Sequence, residues 1–206
     1  MIRRIKYYFQ RIKDEFQRTR RRLKLRRARK IILGSAGVFY PGWFLTDKDS
    51  LDIASRDSFA RLWKPNSRSV FLAEHVWEHL NEDEVKKANA NCFEFLKPGG
   101  RLRIAVPDGL HPDPSYIEYV RPGGTGCGSD DHKTLFDYKL MSQQLRDVGF
   151  EVTLLEYWDE DGKFHFQEWS STHGHISRSK DHDERNKDGV LAYTSLIADA
   201  IKPVAS

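Results

Sequence analysis

The chain has little that would let it cross a bilayer or staple itself shut. Its 206 residues include two cysteines, Cys92 and Cys127. Two are too few for a disulfide framework, so a reducing compartment is expected. No apolar run approaches the roughly 20 residues that span a membrane. A basic start with no apolar block behind it does not match a secretory leader, and a cytosolic chain is the expectation. The length suits one domain with a sizeable core plus additions.

Charge is present but unevenly placed. Residues 1–30 hold 14 Lys or Arg and 2 acidic residues, whereas the remainder holds 20 basic and 28 acidic residues. The body is acidic and the basic excess sits at one end. There Ile2, Ile5, Phe9, Ile12 and Phe16 recur at three- and four-residue spacing with Arg and Lys between them. On a helix this gives an apolar stripe edged by cations. Residues 1–27 are therefore expected to form a basic amphipathic arm. The stripe could pack on the body. It could instead lie on anionic lipid at the inner face of a membrane, with Tyr7 and Tyr8 as interfacial side chains. Nucleic-acid binding through Arg18 to Arg22 is the third reading, but no base-reading or stacking module accompanies it.

Residues 28–206 carry the α/β pattern. Val70-Phe71-Leu72-Ala73 is long enough for a buried strand and too short for a buried helix. Asn81 is a candidate N-cap with Glu82, Asp83 and Glu84 in the first helical turn, where the helix dipole favours carboxylates. Val85, Ala88, Cys92, Phe95 and Leu96 then form one apolar face, and Leu96-Lys97-Pro98-Gly99-Gly100 stops the helix. Leu102, Ile104 and Val106 alternate into a second strand that ends at Pro107-Asp108. A strand, helix and strand in about 40 residues make a parallel crossover unit. Ligands in such sheets sit beyond the carboxyl ends of the strands, which here carry Glu74, His75 and Asp108.

Upstream, Lys30 to Leu33 reads as a strand running into Gly34-Ser35-Ala36-Gly37, where small residues let a ligand approach the backbone. A second short strand around Trp43-Phe44-Leu45 ends in the carboxylate of Asp47. Asp47 follows Gly34 by 13 positions, against roughly 20 for a turn with a full crossover helix. The first connection is therefore expected to be a loop.

Ala73-Glu74-His75-Val76-Trp77-Glu78-His79-Leu80, a helix, and then Leu96-Lys97-Pro98-Gly99-Gly100 together resemble the fourth-to-fifth-strand segment of class I S-adenosylmethionine-dependent methyltransferases. The small-residue turn, Pro41-Gly42-Trp43 and Asp47 resemble a short-loop "GSG…PGW…D" variety of that superfamily, whose usual Gly-x-Gly-x-Gly is here reduced. The resemblance covers roughly residues 28–202. It implies an α/β fold with a Rossmann-like, mostly parallel sheet and a C-terminal antiparallel strand pair, preceded by the basic helix. It implies cofactor contacts from Gly34, Ser35, Ala36, Gly37 and Asp47, and from Asp52 and Ile53 at the end of a third strand. It further implies contacts from Ala73, Glu74 and His75 on the methionine side. His79, Asp108 and His132 would serve the acceptor, with a neutral imidazole taking a proton from a hydroxyl as the methyl group arrives. A small-molecule or glycan hydroxyl is the expected acceptor. A methyltransferase-fold binding protein without turnover and a nucleic-acid modifier using the arm are the rival readings.

Two histidine patterns bear on metal binding. His75-Val-Trp-Glu78-His79 matches the H-x-x-E-H of inverted zinc peptidases, but that chemistry needs both histidines one turn apart on a helix. Here the pair is expected to straddle a strand-to-helix turn. His173-x-His175, in a polar run at 159–189 read as a lid or insert, is the other. No metal site is assigned. In the last third, Leu135 to Leu145 forms a helix ending near Gly149, and Phe150 to Tyr157 and Tyr193 to Ile201 are the closing strands.

Overall fold

The computed structural model describes residues 13–15, 17, 19, 20 and 23–204. The apolar stripe expected in the arm, Ile2 to Phe16, lies outside them. The near end of that arm, 23–27, is helical. Leu25 is buried in the main core, and the Trp63 indole donates to its carbonyl.

One seven-stranded sheet organises the body, in the order β2-β1-β3-β4-β7-β5-β6. β1 (Lys30–Leu33), β2 (Phe44–Leu45), β3 (Arg68–Glu74) and β4 (Leu96–Pro107) are parallel. β7 (Ser195–Ile201) inserts antiparallel between β4 and β5 (Glu151–Trp158), and β6 (Phe164–Phe166) completes the edge. This is a Rossmann-like α/β sheet with a parallel core and antiparallel C-terminal strands. Residues 34–43 connect β1 to β2 without a helix.

Period-two alternation decides what each face meets. Leu102, Ile104 and Val106 of β4, with Leu196, Ala198 and Ala200 of β7, join the larger core. Helices cover that face: α1 (Arg56–Ala60), α2 (Glu82–Phe95) and α4 (Tyr138–Asp147), through Phe59, Val85, Ala88, Cys92, Phe95, Met141 and Leu145. α2 starts where expected, because Asn81 and Glu84 form a reciprocal capping box. Another helix, α3 (Pro114–Val120), packs with Tyr193 in a smaller cluster. On the opposite face Ile32, Leu72, Ala105, Leu155, Ile176 and Ile197 form a second core.

Two expected strand limits are corrected. Residues 51–53 form no strand. The Asp52 side chain accepts from the N–H of Ala54, making a turn that leads into the Ser55 cap of α1. The last strand begins at Ser195, not at Tyr193. Tyr193 exchanges two hydrogen bonds with the Asn186 side chain, which hold its backbone out of the ladder.

Candidate functional site

The carboxyl ends of β1 and β3 open into a crevice of about 760 Å³, well within the range of small-molecule sites. Its first wall is the turn after β1. Gly34 has φ of 62°, and a Cβ there would meet Val76 Cγ2 at 2.6 Å, so glycine is required by conformation and by space. The Asp47 carboxylate accepts from Ser35 Oγ at 3.1 Å and from the N–H of Ala36 at 3.0 Å. Gly34, Ser35 and Ala36 line the crevice, whereas Asp47 stands behind them and fixes the turn. Gly37, Asp52, Ile53 and Ala73 are not among the lining residues, and Ala73 is buried in the main core.

At the tip of β3 the chain turns sharply. His75 takes a left-handed φ of 56°, uncommon for a residue with a Cβ. Its N–H donates to the Ala105 carbonyl. Its Nε2 lies 3.0 Å from Ser195 Oγ, and its ring stacks on Tyr193. The 3₁₀ turn Trp77–His79 follows, so His75 and His79 straddle a turn and do not share an α-helix. Trp77 is fully buried and its indole donates to Asn89 of α2, which pins the turn with Glu78 and His79 lining the crevice.

A distant segment completes this corner. The N–H groups of Lys133 and Thr134 donate to the Glu78 carbonyl, and Thr134 Oγ1 donates to the Leu80 carbonyl. This brings the rings of His79 and His132 to 4.8 Å, edge to face. His132 Nδ1 lies 2.7 Å from the Val120 carbonyl. A carbonyl only accepts, so Nδ1 carries a proton, and in the neutral ring the lone pair is on Nε2.

The second wall comes from residues 177–193. The N–H groups of Ser177 and Arg178 donate to the two Glu74 carboxylate oxygens. Arg185 pairs with Asp183 and lies 3.4 Å over the Tyr193 ring. Burial pushes the Tyr193 hydroxyl up to about 12, so it stays protonated at neutral pH. The residues just before this wall are held from below by Arg103, 1% exposed, which donates to both Asp199 oxygens and to the carbonyls of Ser170 and Gly174. Glu156, also buried, accepts from the Trp169 indole and the Lys180 N–H. The polar run is thus not solvated throughout: Ile176 and Ser179 are fully buried.

Asp108 lies apart from the lining residues. Its buried carboxylate accepts from the N–H groups of Leu110 and Trp158. Burial pushes it up to about 7 against the opposing pull of those two bonds. Its observed partners are structural, not crevice groups. His175 packs edge-on against Tyr40 and His182.

Of the expected residues, Gly34, Ser35, Ala36, Glu74, His75, His79 and His132 share one crevice. Sequence reasoning did not single out Tyr119, Arg178, Arg185 or Tyr193. One signal was available: Ile176 is the single aliphatic residue in 159–189, which marks an anchor in a polar run.

No family model and no curated sequence matches the chain. Solved structures do resemble it. One is a SAM-dependent methyltransferase from Archaeoglobus fulgidus, at 17% identity and TM-score 0.46, over 95% of this chain and 98% of that one. Another is a SAM-dependent methyltransferase from Thermotoga maritima, at 12% identity and TM-score 0.49, over 95% and 98%. A third is Haemonchus contortus phosphoethanolamine N-methyltransferase 2 in complex with S-adenosyl-L-methionine, at 13% identity and TM-score 0.45, over 85% of this chain and 48% of that one.

Proposed function

We propose that the protein is an S-adenosylmethionine-dependent methyltransferase acting on a hydroxyl of a small molecule or glycan. The observation that carries this is the shared crevice: the Gly34–Ala36 turn and Glu74 on one side, His79 and His132 on the other. When bound, S-adenosylmethionine supplies an electrophilic methyl group on a sulfonium. The cradle suits it, because the glycine turn allows close backbone approach and the carboxylates of Glu74 and Glu78 face a cationic ligand. A carboxylate offers about four acceptor positions, so Glu74 can take a ligand N–H beside its two backbone donors. Gly34, Ser35, Ala36 and His75 bind the amino-acid end. Asp47 holds the turn through Ser35 and Ala36. His79 accepts the proton that the hydroxyl loses, and His132 keeps that ring in place. Asp108 braces the β4 tip through the N–H groups of Leu110 and Trp158. Proximity and orientation supply much of the acceleration.

The occupied Asp47 carboxylate favours a second reading, a binding protein without turnover. Calorimetric titration of the full chain with S-adenosylhomocysteine tests the first step. Saturable binding that Gly34→Ala abolishes supports the proposal. No binding by a folded wild-type chain removes it. Methyl transfer in a screen of hydroxylated acceptors separates turnover from binding alone. The basic arm is read as a tether to anionic membrane. Among the described residues no helix is long and apolar enough to cross one. Loss of anionic-vesicle binding on deleting residues 1–25 is expected, and unchanged binding would dismiss the tether.

A further inference from the structure

Glu78 is 1% exposed, and neither of its carboxylate oxygens has a hydrogen-bond partner. His75 Nδ1 stands 3.2 Å from Oε1, outside hydrogen-bonding geometry, and Oε2 has nothing. A buried carboxylate left this way is costly unless something charged completes it. His79 Nδ1 is likewise buried without a hydrogen-bond partner, with Asp131 Oδ2 at 3.3 Å in a poor direction. Glu78, His79 and His132 each offer a ligand atom, and those atoms lie within 4.8 Å of one another.

We infer that Glu78, His79 and His132 hold a divalent first-row transition metal, with zinc the fitting member. Two imidazoles and one carboxylate suit such an ion, and a site with three protein ligands keeps an open position. The cluster already has the outer contacts that metal-binding histidines use. The Val120 carbonyl fixes the His132 tautomer so that Nε2 presents its lone pair to the ion. Two ligands each about 2.1 Å from one ion are at most about 4.2 Å apart, so the loaded site is slightly tighter than the cluster seen here. The grouping differs from the inverted zinc-peptidase pattern. There the two histidines of the motif are ligands and the glutamate is the base, whereas here the glutamate is a ligand, His75 turns to Ser195, and the third ligand comes from 54 residues past Glu78. All three side chains line the crevice, so an oxygen ligand entering it could complete the ion's coordination. The inference stands on these three side chains and does not rest on the methyl-transfer reading: with the ion bound His79 is its ligand, and the proton-accepting role proposed for His79 belongs to the metal-free site.

The test uses tag-free full-length protein, dialysed against chelator and titrated with cobalt(II), whose visible absorption reports imidazole and carboxylate ligation. Zinc serves as competitor. One equivalent is expected to bind and to be displaced by zinc. His132→Gln should weaken binding by roughly tenfold or more, and Glu78→Gln should abolish it. His173→Gln, outside the cluster, should bind as the wild type does. Because Glu78→Gln alters a buried side chain, its fold is checked by circular dichroism; should it not fold, the partly exposed His132 carries the test. The inference is overturned if the wild type binds no stoichiometric metal, if folded His132→Gln binds unchanged, or if His173→Gln loses binding equally.

Discussion

The two faces of the central sheet are covered by different means. On one, three helices lay aliphatic and aromatic side chains against alternate residues of β3, β4 and β7. On the other, the intervening residues include Arg103, Glu156 and Asp199, all buried, and the cover is a largely non-helical segment held by charge and hydrogen bonds. The apolar face tolerates imprecision, because burial is non-directional. The polar face has one satisfactory arrangement, since each buried polar atom must find its partner. The crevice lies at the end of this second face, so its shape inherits that directionality.

Truncations on the two faces should therefore differ in kind as well as size. Phe95→Ala, on the helical face, removes a fully buried ring that packs on Phe59 and should cost about 3–5 kcal/mol in denaturant unfolding. The crevice should survive, with ligand affinity in the folded fraction unchanged. Arg103→Met should cost about 3 kcal/mol, the low end for breaking a buried pair, because Arg101 still reaches Asp199. It also frees the Ser170 and Gly174 carbonyls, so ligand affinity should fall with stability. Equal effects of the two variants on affinity would erase the distinction.

The β4 tip gives a smaller, pH-dependent test. Burial raises the Asp108 carboxyl to about 7, so the folded chain keeps a proton that the unfolded chain has lost. This contribution to stability is full below pH 4 and disappears as pH rises through 7. Asp108→Asn should flatten that fall, read as melting temperature across the window. Glu156, also raised by burial, retains its own share in the variant. A pH slope identical to the wild type would assign the fall elsewhere. Smallest, Asn81→Ala breaks the reciprocal cap of α2 and should cost about 1 kcal/mol with no change at the crevice.

Much of the helical face was legible beforehand. Asn81, the spacing of Val85 to Phe95, the stop at Leu96 and the alternation of Leu102 to Val106 all rest on neighbours within a few residues. The short connection before Asp47 followed from counting. The third strand at 51–53 did not, because a side chain bonding two residues along defeated an apolar triplet. Asp108 sits at the end of its strand as expected, yet its carboxylate turns to Leu110 and Trp158 and away from the crevice.

By itself the sequence determined the parallel core, the helices over its apolar side and the glycine turn beside Glu74, because propensity, capping and periodicity act over short separations. Only the tertiary structure decided that His132 would stand against His79, that Asp47 would bind its own turn, and that residues 177–193 would wall the crevice. Those outcomes depend on directional bonds between groups far apart in the chain, and no local pattern records which distant partner a buried polar atom will meet.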